Sequence, residues 1–262
     1  MDGRQSLARR RDFKEIGANV TDFDLRINPE LRPDELALAY QKNDMVRIDN
    51  IFPSDVAEAI YTVLAKHTPW HMVHANAQGE HKYYRPEEWR ALGAEQQRAI
   101  HQQVQQQARD GFSYLYYCYP MIDALVDGLD PEWPLHALTE YLNSDEMRDF
   151  VKAVTNEPSV LKLDAQASLY APGHFLNTHN DRGGHAERRA AYVLSFCKDW
   201  RADWGGELLF LDDDDNVETG FTPNFNSLTM FKVPRTHIVT QVASFAGSPR
   251  LSVVGWLRDD PK

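Results

Sequence analysis

Short strand-like segments separated by turns fill the last hundred residues of the chain, and this pattern most constrains its fold. The segments are 161–170, 175–181, 190–197, 207–212, 227–233, 236–242 and 251–257. Strands of this length at this spacing are typical of a β-sandwich or a jelly roll. Residues 160–258 are therefore predicted to form a β-rich core.

The preceding part, residues 21–159, is predicted to be mainly helical with inserted strands. Apolar periodicity indicates helices over 33–42, over 86–109, over 135–142 and over 145–154, and a further one that starts with Ser54 as its N-cap. Residues 45–49 and 112–119 have the composition of strands. Because a jelly-roll sheet needs a cover for its outer face, we expect one domain over 1–262, with 1–20 as a flexible tail.

Charge and composition exclude several classes of function. The formal net charge of −11 disfavours nucleic acid as a partner, since phosphate binding depends on a basic surface. No apolar run is long enough to span a membrane, and no apolar segment follows the basic start, so no secretory signal is expected. Cys118 and Cys197 are expected to be free thiols in a reducing cytoplasm. The oligomeric state stays open.

A histidine and an aspartate two residues apart, His179 and Asp181, form the most informative motif. In an extended segment alternate side chains share a face, so both can point into one cavity, where His237 from another strand could join them. Two imidazoles and one carboxylate form the facial triad of non-haem Fe(II) oxygenases. Neither His174 nor His185 has a carboxylate two residues later on a plausible strand, and we expect them in loops or at the surface.

The residues around this motif extend the pattern. Tyr170-Ala171-Pro172-Gly173 leads into the motif, Gly205-Gly206-Glu207 follows it, and Arg250-Leu251-Ser252 opens the final strand. With these segments, residues 160 to 258 resemble the prolyl 4-hydroxylase-like branch of the 2-oxoglutarate- and Fe(II)-dependent dioxygenases. The resemblance implies an α+β fold: a double-stranded β-helix (jelly roll) core with the N-terminal helices packed on the outside of one sheet.

The same resemblance implies a site. His179, Asp181 and His237 would be the ligands of Fe(II), and O2 would be a co-substrate. The planar guanidinium of Arg250 suits the C5 carboxylate of 2-oxoglutarate, with Ser252 adding a hydroxyl. Strand alternation puts Arg250 and Ser252 on one face. Tyr170 resembles a tyrosine that also reaches this carboxylate; the less favoured alternative is a core aromatic residue.

Substrate contacts are implied less specifically. Arg188 corresponds to an arginine near the substrate in related prolyl hydroxylases, but Arg189 is an equally literal candidate, and either could be a surface charge. Trp256 could form the floor of the pocket or belong to the core. One position departs from the family pattern, because Ser195 stands in a strand where many relatives carry a tyrosine. That departure puts one 2-oxoglutarate contact in doubt.

The activity implied by the resemblance is hydroxylation of an unactivated C–H bond, with succinate and CO2 as co-products and with ascorbate as a stimulant. The leading expectation is a prolyl residue in a protein or peptide substrate. Two alternatives stay open: the same chemistry on a free amino acid or other small molecule, and a non-catalytic jelly-roll module that binds a partner. Residues 72–110 correspond in position to a loop that folds over substrate, so 75–85 is predicted to be a mobile lid.

Overall fold

The computed structural model describes residues 24–183 and 185–261. The tail predicted over 1–20 lies outside the described residues. None of the helices in the described ranges is long and apolar enough to cross a membrane. Cys118 and Cys197 are both buried and free, as expected from the sequence.

Seven α-helices are found in the described ranges, all before residue 160. They are α1 (Pro33–Asn43), α2 (Ser54–Lys66), α3 (Pro86–Ala91), α4 (Gly93–Gln107), α5 (Met121–Val126), α6 (Pro134–Leu142) and α7 (Asp145–Thr155). Proline begins three of them, α1, α3 and α6, where its missing N–H costs no helical hydrogen bond. Ser144 caps α7 by accepting a hydrogen bond from the Met147 backbone N–H.

Thirteen strands of the described chain form one continuous sheet. They are β1 (Met45–Asp49), β2 (His71–Ala75), β3 (His81–Tyr84), β4 (Tyr114–Tyr119), β5 (Lys162–Leu163), β6 (Gln166–Tyr170), β7 (Phe175–His179), β8 (Arg188–Phe196), β9 (Leu208–Leu211), β10 (Val217–Phe221), β11 (Phe225–Lys232), β12 (His237–Val239) and β13 (Arg250–Arg258). Their order is β1-β11-β8-β13-β6-β4-β7-β12-β9-β10, while β2 joins β4, β3 joins β2 and β5 joins β13.

Strand β4 connects the two halves of this curled sheet. One half consists of β1, β11, β8, β13 and β6, and the other consists of β7, β12, β9 and β10. Along one edge β4 pairs with β7 near its start and with β6 near its end, and along the other edge it pairs with β2; every pairing in the sheet is antiparallel. The two halves therefore face each other across an interior cavity, as in a jelly roll. The predicted α+β jelly-roll class is confirmed.

The main hydrophobic core lies between the helices and the outer face of one half of the sheet. Helix α2 contributes Ile60 and Leu64, and strand β13 contributes Leu251, Val253 and Leu257, all less than 4% exposed. One face of β13 thus packs against the helices through Leu251, Val253 and Leu257. The other face carries Arg250 and Trp256 and lines the cavity. The helices cover the outside of this half, as the sequence predicted.

Several boundaries differ from the predicted ones. Helix α2 has Pro53, not Ser54, at its N-cap, and no side-chain cap is formed. The helix predicted over 86–109 is broken into α3 and α4 around Gly93, whose φ is +73°. The strand predicted over 161–170 is interrupted after Leu163. Strand β10 was not predicted, because as an exposed edge strand it lacks the alternation of a half-buried one.

A hairpin turn over residues 212–216 connects β9 to β10. The Asp212 carboxylate accepts hydrogen bonds from the backbone N–H groups of Asp214 and Asn216, as expected for an Asx-type turn. Because β1 and β2–β4 from the helix-rich part pair within the same sheet as the C-terminal strands, we propose that the described chain is one domain.

Candidate metal and co-substrate site

A cavity of about 1360 Å³ lies on the concave face of the sheet. This volume exceeds the 300–1,000 Å³ typical of small-molecule sites. Strands from both halves of the sheet line it, including β4, β6, β7, β8, β12 and β13. The predicted site residues His179, Asp181, His237, Arg250, Tyr170, Arg188 and Trp256 are all among its lining residues; Ser252 is fully buried behind Arg250.

Three of these side chains form a cluster. His179 and His237 are directly opposite each other in the β7–β12 pairing, with ring centroids 4.1 Å apart. The Nε2 atoms of both histidines lie 3.5 Å from carboxylate oxygens of Asp181, His179 from Oδ1 and His237 from Oδ2. One ligand atom from each residue lies within 4.8 Å of the other two. Among the described residues, no other group of this kind is found.

The hydrogen bonds of the two histidines fix which ring nitrogen is available. Nδ1 of His179 lies 2.9 Å from the Asn177 carbonyl oxygen, and Nδ1 of His237 lies 2.7 Å from the Arg235 carbonyl oxygen. Nδ1–H therefore donates in both cases, which leaves Nε2 as a lone-pair donor aimed at the cluster. Burial, and then the neighbouring His179, lower the pKa of His237 to about 4. The neutral imidazole is the form that binds metal.

Asp181 reaches the cluster in a way that strand alternation did not predict. The expected strand 175–181 ends at His179, and Asp181 has a left-handed backbone with φ +63°. Aspartate tolerates this conformation better than most residues. Arg188 stabilises it from the side by donating from Nη1 to the Asp181 carbonyl oxygen at 2.7 Å.

Arg250 lies deeper in the same cavity. Only 3% of its surface is exposed, and its Nη1 donates to the Ser252 hydroxyl at 2.9 Å. Its guanidinium carbon lies 5.2 Å from the centroid of the Tyr170 ring. Within the described ranges no carboxylate forms an ion pair with it, and its Nε has no hydrogen-bond partner. A buried cation without a counterion is costly, so this end of the cavity suits an anion.

Gly206 makes room for the Arg250 side chain. A Cβ atom at Gly206 would lie 3.2 Å from Cδ of Arg250 and 3.2 Å from the Trp200 ring, and Gly206 has φ +71°. The indole N–H of Trp200 in turn donates to the Gly205 carbonyl oxygen at 3.0 Å. The Gly205-Gly206 segment noted in the sequence therefore packs against the predicted anion-binding side chain.

Arg188 and Trp256 lie together beside the metal cluster. The Arg188 guanidinium carbon lies 3.6 Å from the centroid of the Trp256 ring, and burial lowers the pKa of Arg188. Nε of Arg188 and Nε1 of Trp256 are both buried N–H donors without an acceptor. Arg189, the alternative candidate, points elsewhere, because it donates to the Asp259 carboxylate. The structure thus places Arg188, and not Arg189, in the cavity.

Ser195 does not reach the cavity. Its hydroxyl donates to the Asn224 carbonyl oxygen at 2.6 Å and accepts from the Asn224 backbone N–H at 3.3 Å. His185 lies at the cavity rim beside Glu187. His174, expected in a loop or at the surface, lies in the β6–β7 turn but is only 3% exposed. It packs against the ring of Tyr117.

Strand β4 contributes cavity residues that the motif-based reasoning did not identify. Phe112, just before β4, contacts the His179 ring with centroids 5.9 Å apart. Tyr114 hydrogen-bonds to His81 of β3 over 2.8 Å, and Tyr116 stacks on Tyr170 with ring centroids 5.1 Å apart. The sequence signal was the dense aromatic run 112–119, which was predicted to be a strand without a role in the site.

The segment 75–85, predicted to be a lid, belongs to a β-hairpin in the structure. Residues 75–85 form the turn and second strand of the β2–β3 hairpin, where Asn76 accepts hydrogen bonds from the backbone N–H groups of Gln78 and Glu80. Both ends of the segment are packed, since Ala75 is fully buried and Tyr84 contacts the ring of Trp89. His81 places the hairpin at the cavity wall.

The three ligand atoms suit a divalent metal ion of hard or intermediate character that keeps some coordination positions open. Two Nε2 atoms and one carboxylate leave the remaining coordination positions unfilled by protein, as in non-haem Fe(II) oxygenases. The unpaired Arg250 gives an anionic co-substrate a partner within the same cavity. A jelly roll with this cluster and an unpaired cation has the arrangement that a non-haem iron oxygenase with an anionic co-substrate requires.

Comparisons with known proteins agree with this class. Residues 165–258 match the family model of the 2OG-Fe(II) oxygenase superfamily. This segment is therefore similar to the 2-oxoglutarate- and Fe(II)-dependent oxygenases, and the likeness supports a 2-oxoglutarate-dependent dioxygenase. A search of curated proteins finds no match.

Solved structures share the fold at low sequence identity. A prolyl-4-hydroxylase from Pseudomonas putida superposes with a TM-score of 0.52 at 18% identity, over 87% of this chain and 99% of that one. An oxidoreductase of the 2OG-Fe(II) oxygenase family from Burkholderia pseudomallei gives 0.55 at 13%, over 90% and 94%. A Trichoplax adhaerens prolyl hydroxylase, in complex with a hypoxia inducible factor oxygen degradation domain peptide fragment, gives 0.56 at 14%, over 87% and 89%.

Proposed function

We propose that this protein hydroxylates a prolyl residue in a protein or peptide, with succinate and CO2 as co-products. In this proposal His179, Asp181 and His237 hold Fe(II), and Arg250, assisted by Ser252 and Tyr170, binds the C5 carboxylate of 2-oxoglutarate. When bound, the metal, 2-oxoglutarate and O2 together supply the oxidising power for an unactivated C–H bond. The observation that carries the proposal is the unpaired, buried Arg250 cation in the same cavity as the metal cluster.

The chain's own residues would position the reactants rather than transfer protons. The backbone carbonyls of Asn177 and Arg235 hold the two histidines with Nε2 toward the metal. Arg250 would bind one end of the co-substrate and a metal held by His179, Asp181 and His237 would bind the other, which would leave the side of the cavity near Arg188 for the substrate. Such fixed geometry is the main contribution of a protein to cofactor chemistry.

The substrate assignment is supported by the environment of Arg188 and Trp256. Their two buried N–H donors lack acceptors, and a backbone carbonyl oxygen next to a bound prolyl residue could accept from both. Two of the similar structures are prolyl hydroxylases, and the Trichoplax protein was solved with a peptide. The large volume of the cavity also suits a polypeptide.

A second candidate function uses the same chemistry on a free amino acid or another small molecule. The charge of Arg188 favours it, because a guanidinium binds a free carboxylate more strongly than a carbonyl oxygen. We further propose stimulation by ascorbate. The two buried free thiols, Cys118 and Cys197, support a reducing, cytoplasmic location.

Iron content and succinate production test the proposal together. The purified protein should bind one Fe(II) per chain, and His179→Ala or Asp181→Ala should remove both the metal and turnover, since two ligands hold Fe(II) too weakly. A panel of proline peptides and free amino acids should then show which substrate stimulates succinate release. His185→Ala, which changes a histidine at the cavity rim, is the matched control and should retain iron. Full activity in Asp181→Ala would refute the metal site.

A further inference from the structure

The co-substrate end of the cavity lacks the hydroxyl that the family pattern places on β8. Ser195 stands there, and its hydroxyl is used twice by the Asn224 backbone. The Ser195–Asn224 pair lies where the β8–β11 register shifts, so the serine stabilises this irregularity. A co-substrate in the cavity therefore gains nothing from β8 at this position.

Strand β4 presents a different hydroxyl to the same space. Along its cavity face, Phe112 contacts the metal-cluster residue His179, and Tyr116 stacks on Tyr170. Tyr170 in turn lies directly opposite Arg250 in the β6–β13 pairing. The cavity face of β4 thus runs from the metal cluster to the anion-binding end, with Tyr116 at the latter.

The hydroxyl of Tyr116 is free to donate. It accepts a hydrogen bond from the Gln166 side-chain amide at 3.4 Å, and within the described ranges its proton has no acceptor. Burial raises the pKa of Tyr116 well above its usual range, and the neighbouring Tyr170 raises it further. The phenol therefore stays protonated and remains a hydrogen-bond donor at any physiological pH.

The stacking also limits where the Tyr116 ring can go. The planes of Tyr116 and Tyr170 are only 18° from parallel, and the tilted ring of Tyr114 also packs against Tyr116 with centroids 5.8 Å apart. A ring packed against two others loses little rotamer entropy when its hydroxyl binds a ligand. The donor is thus preorganised.

From these contacts we infer that Tyr116 donates a hydrogen bond to a carboxylate oxygen of the bound co-substrate. Tyr116 would thus supply the hydroxyl that relatives supply from a β8 tyrosine, at the position where this chain has Ser195. This inference rests on the proposed function, in which Arg250 binds 2-oxoglutarate. Tyr116 would be a co-substrate contact supplied by a strand outside the segment 165–258 that matches the family model.

The test is a calorimetric titration of the Mn(II)-loaded protein with 2-oxoglutarate, which measures the Kd. Tyr116→Phe keeps the ring and removes the hydroxyl, so the Kd should rise about tenfold or more, the usual effect of one hydrogen bond to a charged group. The metal content and the melting temperature should stay unchanged. Tyr117→Phe is the matched control, because Tyr117 lies on the same strand but packs against His174 outside the cavity, and its Kd should stay within twofold.

Ser195→Ala completes the test. It should lower the melting temperature by breaking the Asn224 contacts but leave the Kd within twofold. A Tyr116→Phe protein that binds 2-oxoglutarate like the parent, or that loses the metal, would overturn the inference, and so would a Ser195→Ala protein with a weakened Kd. If Arg250→Met binds like the parent as well, the proposed function fails; if only Tyr116→Phe does, this inference fails alone.

Discussion

Replacing Arg250 by methionine separates co-substrate binding from metal binding and from stability. Methionine is similar in length but uncharged, so the buried counterpart of the C5 carboxylate is lost. Removing one partner of a buried charged pair typically costs about 3–5 kcal/mol, or roughly two to four decades in Kd at about 1.4 kcal/mol per decade. In the ligand-free protein Arg250 has no counterion in the described part of the chain, so the stability of the apoprotein should not fall.

Thermal denaturation with and without 2-oxoglutarate measures both effects. At a ligand concentration of 100 times the parental Kd, the parent should gain about 2.7 kcal/mol of stability. A hundredfold weaker Kd leaves only about 0.4 kcal/mol at the same concentration by the same relation. Arg258→Met is the matched control: Arg258 lies on the same strand but already pairs with Asp164 and Asp260, so its ligand-induced gain should match the parent's.

The reasoning about the anion-binding end would be refuted by an Arg250→Met protein that titrates like the parent. A loss of iron in this variant would refute the separation of the two ends of the site. Retained iron, an unchanged or higher apoprotein stability and a lost thermal shift are the combined result expected.

Three other predictions concern the surroundings of the site. Burial lowers the pKa of His174 to about 4, so the folded state excludes a proton that the unfolded state binds below about pH 6.5. About 3 kcal/mol of the free energy of unfolding should therefore be lost as the pH falls from about 6.5 to 4. Urea denaturation of His174→Gln over the same pH range should show a smaller loss. Gly206→Ala should weaken 2-oxoglutarate binding with iron retained, because its Cβ would lie 3.2 Å from Arg250; Gly79→Ala, at a similar φ of +75° but with nothing within 4 Å, should bind like the parent in the same calorimetric titration. Hydrogen exchange of the turn between β2 and β3 should slow only when metal, 2-oxoglutarate and substrate are present together, and unchanged exchange would count against a lid.

Some features of the site could be predicted from residues that are neighbours in the sequence. The His179 and Asp181 pair and the alternation of Arg250 with Ser252 each depend on residues close together in the chain, so periodicity and motif spacing located them. The cavity-facing side of β13 follows from the same period of two.

Other features depended on contacts between distant segments. Asp181 leaves the predicted strand and adopts a left-handed backbone supported by Arg188, which strand alternation cannot anticipate. The choice between Arg188 and Arg189 was decided by the Asp259 partner of the latter, seventy positions away. Edge strand β10 is exposed and so carries no alternation.

The sequence by itself therefore determined the class of fold and the residue types available for the site, because apolar periodicity and short motifs are local properties of the chain. The tertiary structure alone decided which aromatic residues of β4 meet the cavity. Tyr116 faces Tyr170 only because β4 pairs with both β6 and β7, and long-range pairing sets the face and register of a strand that is apolar on both sides.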